Sequence, residues 1–184
     1  VGNAADPTGI FATSVDLFFR TTSTTGQTCF VELRPMVNGL PSAEVIYPMS
    51  QVVLTGEQIE VSEDGTVATT VTFPAPVYLE GNKEHCIVVG SNSTDFTLWA
   101  SRLGEIDVTT LALPESQQVP ITKQSSLGSM FKSQNTSTWT PSQYEDLKFR
   151  LSRADFVQEG SVSFFNPDLS TGNRQVATLK KDSL

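Results

Sequence analysis

The chain contains one histidine and two cysteines in 184 residues, which leaves few side chains for nucleophilic catalysis or metal binding. His85 is the only candidate base for a Ser-His-Asp triad, and no nucleophile elbow lies near it in sequence. Cys86 follows directly, but adjacent residues of a strand point to opposite faces, so the two cannot act together as base and nucleophile. CxxC and HExxH motifs and glycine-rich phosphate loops are also absent. The sequence therefore predicts a protein that is not an enzyme, with no catalytic residues, no metal site and no cofactor.

Basic residues are scarce in the first two thirds of the chain. Residues 1–122 carry 4 basic and 14 acidic side chains, a net charge of −10, whereas residues 123–184 carry 8 basic and 6 acidic ones, a net charge of +2. Phosphate binding depends on clustered Lys and Arg, so nucleic acid is not an expected partner. The opposite signs favour head-to-tail packing against a copy of the chain or a neighbouring protein.

Long apolar runs are missing too, because no stretch approaches the 18 residues of a membrane-spanning helix, and no signal peptide is recognisable. We therefore expect no membrane partner. Two cysteines, Cys29 and Cys86, do not make a disulfide framework, and we expect reduced thiols, with a single bridge as the alternative. The chain lacks an initiator Met and its last residues trail off, so we expect a piece of a longer protein.

Serine and threonine are abundant, with 42 residues, and only 17% of residues are charged, a composition that favours strands and turns. Alternation of period two recurs along the chain. It first places Phe11, Thr13, Val15, Leu17 and Phe19 on one face, and later opposes Cys29, Val31 and Leu33 to Glu32 and Arg34. Further short strands follow at intervals of about 8 to 15 residues, separated by Pro, Gly and Asn. This pattern predicts an all-β sandwich or barrel.

The organisation that we predict is an N-terminal linker (1–8), a β-sandwich (9–157) and a C-terminal connector to a further domain (158–184). Alternation fails between residues 104 and 125. A long irregular excursion of this kind within a compact domain is often functional or forms an interface.

Aromatic residues within polar stretches are candidates for sugar binding. Trp139 lies in the polar stretch "SQNTSTWTP" before the last predicted strand. It is either a core anchor under the sheet, or a platform on which a sugar ring stacks. A glycan-binding module would use Trp99, Trp139 and Tyr144 as ligand-binding residues. A third interpretation, a hydrolase, would need His85 or a carboxylate pair such as Glu105 with Asp107, or Glu145 with Asp146, in a cleft.

A resemblance narrows the fold class. The motifs "DLFF", "RPMVNG", "FPAPVYL", "GSNS" and "FKSQNTSTWTPSQYEDLKF" occur in that order within Pro7 to Phe165. In this order the chain resembles a jelly-roll domain inside large virion structural proteins of tailed bacteriophages, notably T4-like phages of marine cyanobacteria. The last motif is more loosely similar to the closing motif of bacterial extracellular jelly-roll domains. The excursion at 104–125 departs from the pattern.

The resemblance implies an antiparallel jelly-roll β-sandwich with a non-enzymatic assembly role in the virion tail, as a baseplate or fibre component. Its expected partners are other virion tail proteins and copies of itself, as a trimer if the assembly is fibre-like. The family lends no catalytic residues. Binding to host surface glycans is the alternative function.

Overall fold

The computed structural model of the chain describes residues 8–46, 48–123, 128–157, 159–164 and 175–180. Within these residues the protein is all-β, with 48% of residues in strands, antiparallel sheets and no α-helix. The strands are β1 (Ile10–Leu17), β2 (Phe19–Thr21), β3 (Thr28–Val37), β4 (Leu40–Pro41), β5 (Val52–Thr55), β6 (Thr69–Leu79), β7 (His85–Ser91), β8 (Thr97–Leu98), β9 (Ala100–Arg102), β10 (Met130–Lys132), β11 (Thr140–Ser142), β12 (Glu145–Leu147), β13 (Phe149–Arg153), β14 (Glu159–Phe164) and β15 (Gln175–Lys180). Short 3-10 turns cover Pro48–Ser50, Gly56–Gln58, Val108–Thr110 and Glu115–Gln117. None of the helical segments among the described residues is long and apolar enough to cross a membrane.

A three-stranded sheet and a four-stranded sheet form the body of the protein. The first has the order β13-β1-β6, and in the second β3 lies between β7 on one side and β5 with β4 on the other. Strands of both sheets contribute to a shared set of buried side chains: Val15, Leu17, Phe19, Cys29, Val31, Leu54, Ile59 and Val71. The core therefore lies between the sheets, as in a sandwich. The all-β prediction is confirmed at this level.

A β-bulge in β1 corrects the predicted alternation. The register against both neighbouring strands shifts between Ala12 and Ser14. Against β13, Thr13 is an extra residue, and the side chains of β1 change faces there. Against β6, the extra residues belong to β6. Ala12, not Phe11, is fully buried, whereas Val15 is buried as the alternation predicts. Phe11 is exposed and packs its ring 5.0 Å from that of Tyr78.

Strand β6 is continuous through "FPAP", although prolines normally interrupt a strand. Opposite the bulge, its register skips from Thr72 to Val77. Pro74 and Pro76 have no N–H to contribute to a ladder and occupy this unpaired stretch. The bulge and the two prolines therefore accommodate each other.

The chain divides into two compact units, Val1–Ala154 and Asp155–Leu184. The second unit holds an antiparallel pair, β14 with β15. This pair lies in the segment 158–184, for which the sequence predicts a connector and no strands. The linker predicted at 1–8 lies almost wholly outside the described residues.

The two cysteines are free and cannot form a bridge. Cys29 pairs with Ser91, and Cys86 pairs with Arg34, so the thiols lie five positions apart along the β3–β7 ladder. That separation is about 17 Å at the usual rise of a strand, and a disulfide needs Cα atoms within about 7 Å. The alternative of a bridge between Cys29 and Cys86 is therefore excluded.

The buried core predicts a large difference between two substitutions. Phe19 is fully buried, and Phe19→Ala should lower the free energy of unfolding by about 3–5 kcal/mol through lost burial and a cavity. Val53 is 57% exposed, and Val53→Ala should change the same quantity by less than about 0.5 kcal/mol. Urea unfolding of the two variants measures both values. Equal losses would mean that the sheets do not pack through Phe19.

The thiols predict a dependence on pH. Desolvation by burial raises the pKa of Cys29 and of Cys86 from 9.0 to about 11. Alkylation by iodoacetamide at pH 8 should therefore be about 100-fold slower in the folded protein than in urea, because the thiolate is the nucleophile. The folded state favours the protonated thiols, so their contribution to stability is present below pH 9 and is lost as the pH rises to about 11. Equal alkylation rates in the two states would contradict the assignment.

Candidate interaction surface

Trp99 is a link between strands. Its N–H donates to Phe18 O (2.8 Å), and its own carbonyl accepts from Lys148 N–H (3.1 Å). Its indole Nε1 donates to Ser62 O (2.9 Å). The Arg20 guanidinium lies 5.5 Å from the centroid of the ring. Single residues separate β1 from β2 (Phe18), β8 from β9 (Trp99) and β12 from β13 (Lys148), and the backbone of Trp99 is hydrogen-bonded to the other two. The half-buried ring of Trp99 is already in contact with Ser62 and Arg20.

A turn with a glycine closes against the ring of Trp99. Gly65 has a φ of +68°, and a Cβ there would lie 3.1 Å from Cγ of Trp99. The carbonyl of Gly65 accepts a hydrogen bond from Nζ of Lys148 (2.7 Å). Only glycine fits both the backbone and the contact. A sugar that stacked on Trp99 would have to share the ring with these groups.

Trp139 ends the polar loop 133–139, which joins β10 to β11. The ring is half-buried, and Nε1 is buried with no acceptor among the described residues. Asn135 shapes the loop, because its Oδ1 accepts from the N–H groups of Ser137 (3.1 Å) and Thr138 (2.8 Å). The polar end of the indole therefore points inward, and the ring offers only part of its area to a ligand.

The same loop contacts a buried ion pair on the outer face of β3. Arg34 forms a salt bridge with Glu32, and their side chains are 8% and 1% exposed. Nη1 of Arg34 donates to Thr136 O (3.0 Å) and to Ser42 O (3.2 Å). Nε2 of Gln51 donates to the second carboxylate oxygen of Glu32 (2.9 Å). The pair is therefore hydrogen-bonded on both sides and holds two loops on the sheet.

The side chains considered as catalytic candidates make structural contacts in the fold. Burial lowers the pKa of His85 below the ordinary value of an imidazole. Glu145 pairs with Lys132, and Oδ1 of Asp107 accepts from Thr109 N–H (3.0 Å) as the cap of a 3-10 turn. Carboxylates in these positions stabilise turns and surface pairs. Among the described residues no group of three or more His, Cys, Asp or Glu could hold a metal ion.

The excursion predicted at 104–125 is folded on itself over its described residues, 104–123. Asp107 N–H donates to Val119 O (2.8 Å), and Ile121 N–H donates to Glu105 O (2.8 Å). Nε2 of Gln118 donates to the carbonyls of two residues at the tip, Leu111 and Leu113. These bonds close the two ends of the segment and tie its tip, so the segment has a defined shape.

This segment presents apolar side chains to solvent. Six large apolar residues with exposed side chains belong to it or bond to its base; they form what we call the apolar loop surface: Leu103 (40% exposed), Ile106 (37%), Leu111 (54%), Leu113 (44%), Val119 (54%) and Tyr144 (62%). Tyr144 joins the group because its carbonyl accepts from Leu103 N–H (2.8 Å). Exposed apolar side chains concentrated on one segment are typical of interaction sites.

The three aromatic candidates are not brought together by strand pairing. In the β9–β12 pair Ala100 is opposite Leu147 and Arg102 is opposite Glu145. Trp99 therefore precedes one end of this pair, and Tyr144 lies beyond the other end, about 13 Å away at the rise of a strand. Two rings at opposite ends of one strand pair do not stack on the same sugar. The apolar loop surface was not predicted residue by residue, although its Leu and Val content in a non-alternating stretch was the available signal.

Comparison with known proteins gives no relative. The chain matches no family model, and no curated protein and no solved structure is similar to it.

The buried ion pair predicts an asymmetric response to substitution. Arg34→Met should lower the free energy of unfolding by about 3–5 kcal/mol, because Glu32 is left buried without a counter-charge. Adding Glu32→Leu should recover most of the loss, since an apolar pair replaces an ionic one. Urea unfolding of both variants provides the measurement. A single variant within about 1 kcal/mol of wild type would mean that the pair is not desolvated in solution.

Proposed function

We propose that the chain is a non-enzymatic structural and assembly domain of a tailed-bacteriophage virion, in a tail, baseplate or fibre component. Its fold in this proposal is an antiparallel jelly roll. The sequence resemblance suggests the setting. The apolar loop surface is the observation that carries the assembly role, because it offers apolar contact area on a segment whose shape is already set.

An interface that uses a pre-shaped segment loses little conformational entropy on binding, so more of its contact energy appears as affinity. The hydrogen bonds of Gln118 and Asp107 order the segment before any partner arrives. Leu111 and Val119 are each 54% exposed and gain burial from a partner. Another virion tail protein is the partner that we propose for this surface.

The sheet order supports the jelly-roll part of the proposal. In the first sheet the neighbouring strands are distant in sequence, because β1 lies between β6 and β13. In the second sheet β3 pairs with the nearby strands β4 and β5 on one side and with the more distant β7 on the other. Connections that cross between two sheets in this way are common to jelly rolls and other Greek-key sandwiches.

Binding of host glycans is the second candidate function, and fewer observations support it than support assembly. Tyr144 is exposed as a platform requires, but Trp99 is held by its own protein and the Trp139 indole points its N–H inward. Saturable binding to host envelope glycans that is lost in a folded Trp139→Ala variant would favour this function over assembly.

The assembly proposal predicts that the chain is a stoichiometric part of the particle. Peptides from residues 8–157 should be found in purified virions of the phage that encodes the chain, at copy numbers comparable to those of other tail proteins. Quantitative mass spectrometry of gradient-purified particles measures this. Abundance in infected-cell lysate with absence from particles would overturn the proposal.

A matched pair of variants locates the surface. Leu111→Ser with Leu113→Ser should reduce incorporation into particles at least tenfold, because two apolar contacts are lost from the interface. The control is Val37→Ser with Leu40→Ser, which removes a similar exposed apolar area elsewhere. Equal incorporation of both double variants would exclude the apolar loop surface as the contact.

A further inference from the structure

Strand β7 is an edge strand of the second sheet. It pairs with β3 over seven residues, from Cys29 with Ser91 to Pro35 with His85, and the register has no shift. No other strand among the described residues pairs with β7. One side of this regular strand therefore lacks a strand partner in the described part of the protein.

The hydrogen-bonding pattern identifies which groups face outward. Met36 N–H donates to Glu84 O (2.9 Å), which marks Glu84 as a residue bonded to β3. Bonded and non-bonded residues alternate in an antiparallel ladder, so Ile87 and Val89 direct their N–H and C=O groups away from β3. No described residue forms a backbone hydrogen bond with these outward groups.

The other edges of the two large sheets carry features that discourage pairing, and β7 does not. The edge strand β6 contains Pro74 and Pro76, the edge strand β13 carries Arg150 and Arg153, and β5 has only four residues. Prolines, charges and short length are the usual protections of natural edges. The sequence of β7, HCIVVGS, has no proline and no Asp, Glu, Lys or Arg.

We propose that a second copy of the chain pairs with β7, strand to strand and antiparallel, about a twofold axis at Val88. In this register Ile87 of one copy lies opposite Val89 of the other. Each of these residues directs its N–H and C=O outward, so the two copies exchange four backbone hydrogen bonds. The two Val88 residues then form the non-bonded pair at the axis.

Charge and packing fit a second copy as the occupant. The pairing segment Cys86–Gly90 has no charged side chain, so two copies meet there without like-charge repulsion although each chain carries a net charge of −8. Cys86 of one copy lies opposite Gly90 of the other, and Gly90 has no side chain that could clash with that of Cys86. Ile87 and Val89 already pack against the core cluster, so pairing continues that core from one copy to the next.

The inference rests on the fold and does not depend on the proposed virion role. The dimer and the assembly function can therefore fail separately, because incorporation into particles tests the apolar loop surface and the experiments below test β7.

The first test compares two substitutions at one position. Val89→Pro removes an outward N–H and leaves the bonds to β3, whereas Val89→Ala removes similar side-chain packing and keeps the N–H. Light scattering and sedimentation should show a dimer for wild type and Val89→Ala, and at least a tenfold weaker dimer for Val89→Pro. Two results would overturn the proposal: a wild type that is still monomeric at a protein concentration of about 100 µM, or a Val89→Pro variant that dimerises as well as wild type.

The second test traps the register and remains informative if Val89→Pro fails to fold. In a Cys86→Ser background, Val88→Cys places two thiols on the axis, where the Cα atoms of a non-bonded pair are about 4.5 Å apart and suit a disulfide. Val89→Cys is the control, because its thiols lie two positions out of register. Mild oxidation should cross-link Val88→Cys at least tenfold more than the control. Equal cross-linking would exclude this pairing.

Discussion

The burial of β3 on both faces is the constraint on which the second sheet depends. One face contributes Val31 and Leu33 to the core, and the other carries Glu32 and Arg34 out of solvent. An ion pair in such a place is tolerated only when its remaining hydrogen-bonding groups are satisfied. Here the backbone carbonyls of two loops satisfy Arg34, so the positions of those loops follow from the need to neutralise and bond one guanidinium.

The same constraint explains the position of the polar loop 133–139, because this loop supplies one of the carbonyls that bind Arg34. Thr136 has a φ of +56°, a backbone conformation that non-glycine residues rarely adopt, and it presents its carbonyl to Arg34. Asn135 supports that geometry by accepting two backbone N–H groups. The richness of the stretch in Ser, Thr and Asn is therefore explained by local hydrogen bonding. Carbohydrate recognition is not needed to account for it.

Much of the sheet structure could be predicted from the sequence, because alternation reports which side chains face a core. It was right for Val15 and Val31 and wrong at Phe11, since a bulge changes the face without leaving a signal in the residues themselves. The continuity of β6 could not be predicted from the sequence for a similar reason. Pro74 and Pro76 normally end a strand, and only the bulge on the neighbouring strand lets them remain within one.

The candidate surface was less accessible to sequence reasoning. The excursion was identified by its lack of alternation, but exposure of Leu111 depends on which residues the rest of the chain covers. The same limit applies to Glu32 and Arg34, which the alternation places on a polar face and which tertiary contacts bury. Sequence patterns report the face of a strand, and they do not report what lies over it.

The first sheet has a consequence for the order of folding. The hydroxyl of Thr13 in β1 donates to Ser152 O in β13, across 139 positions of sequence. Such contacts close late and give slow folding, because the loop entropy must be lost before any contact energy is gained. During synthesis β1 leaves the ribosome long before its partner β13. Leu17 and Phe19, which are buried in the folded protein, therefore stay exposed until β13 has been made. Apolar side chains exposed in this way during synthesis favour aggregation, which chaperones limit.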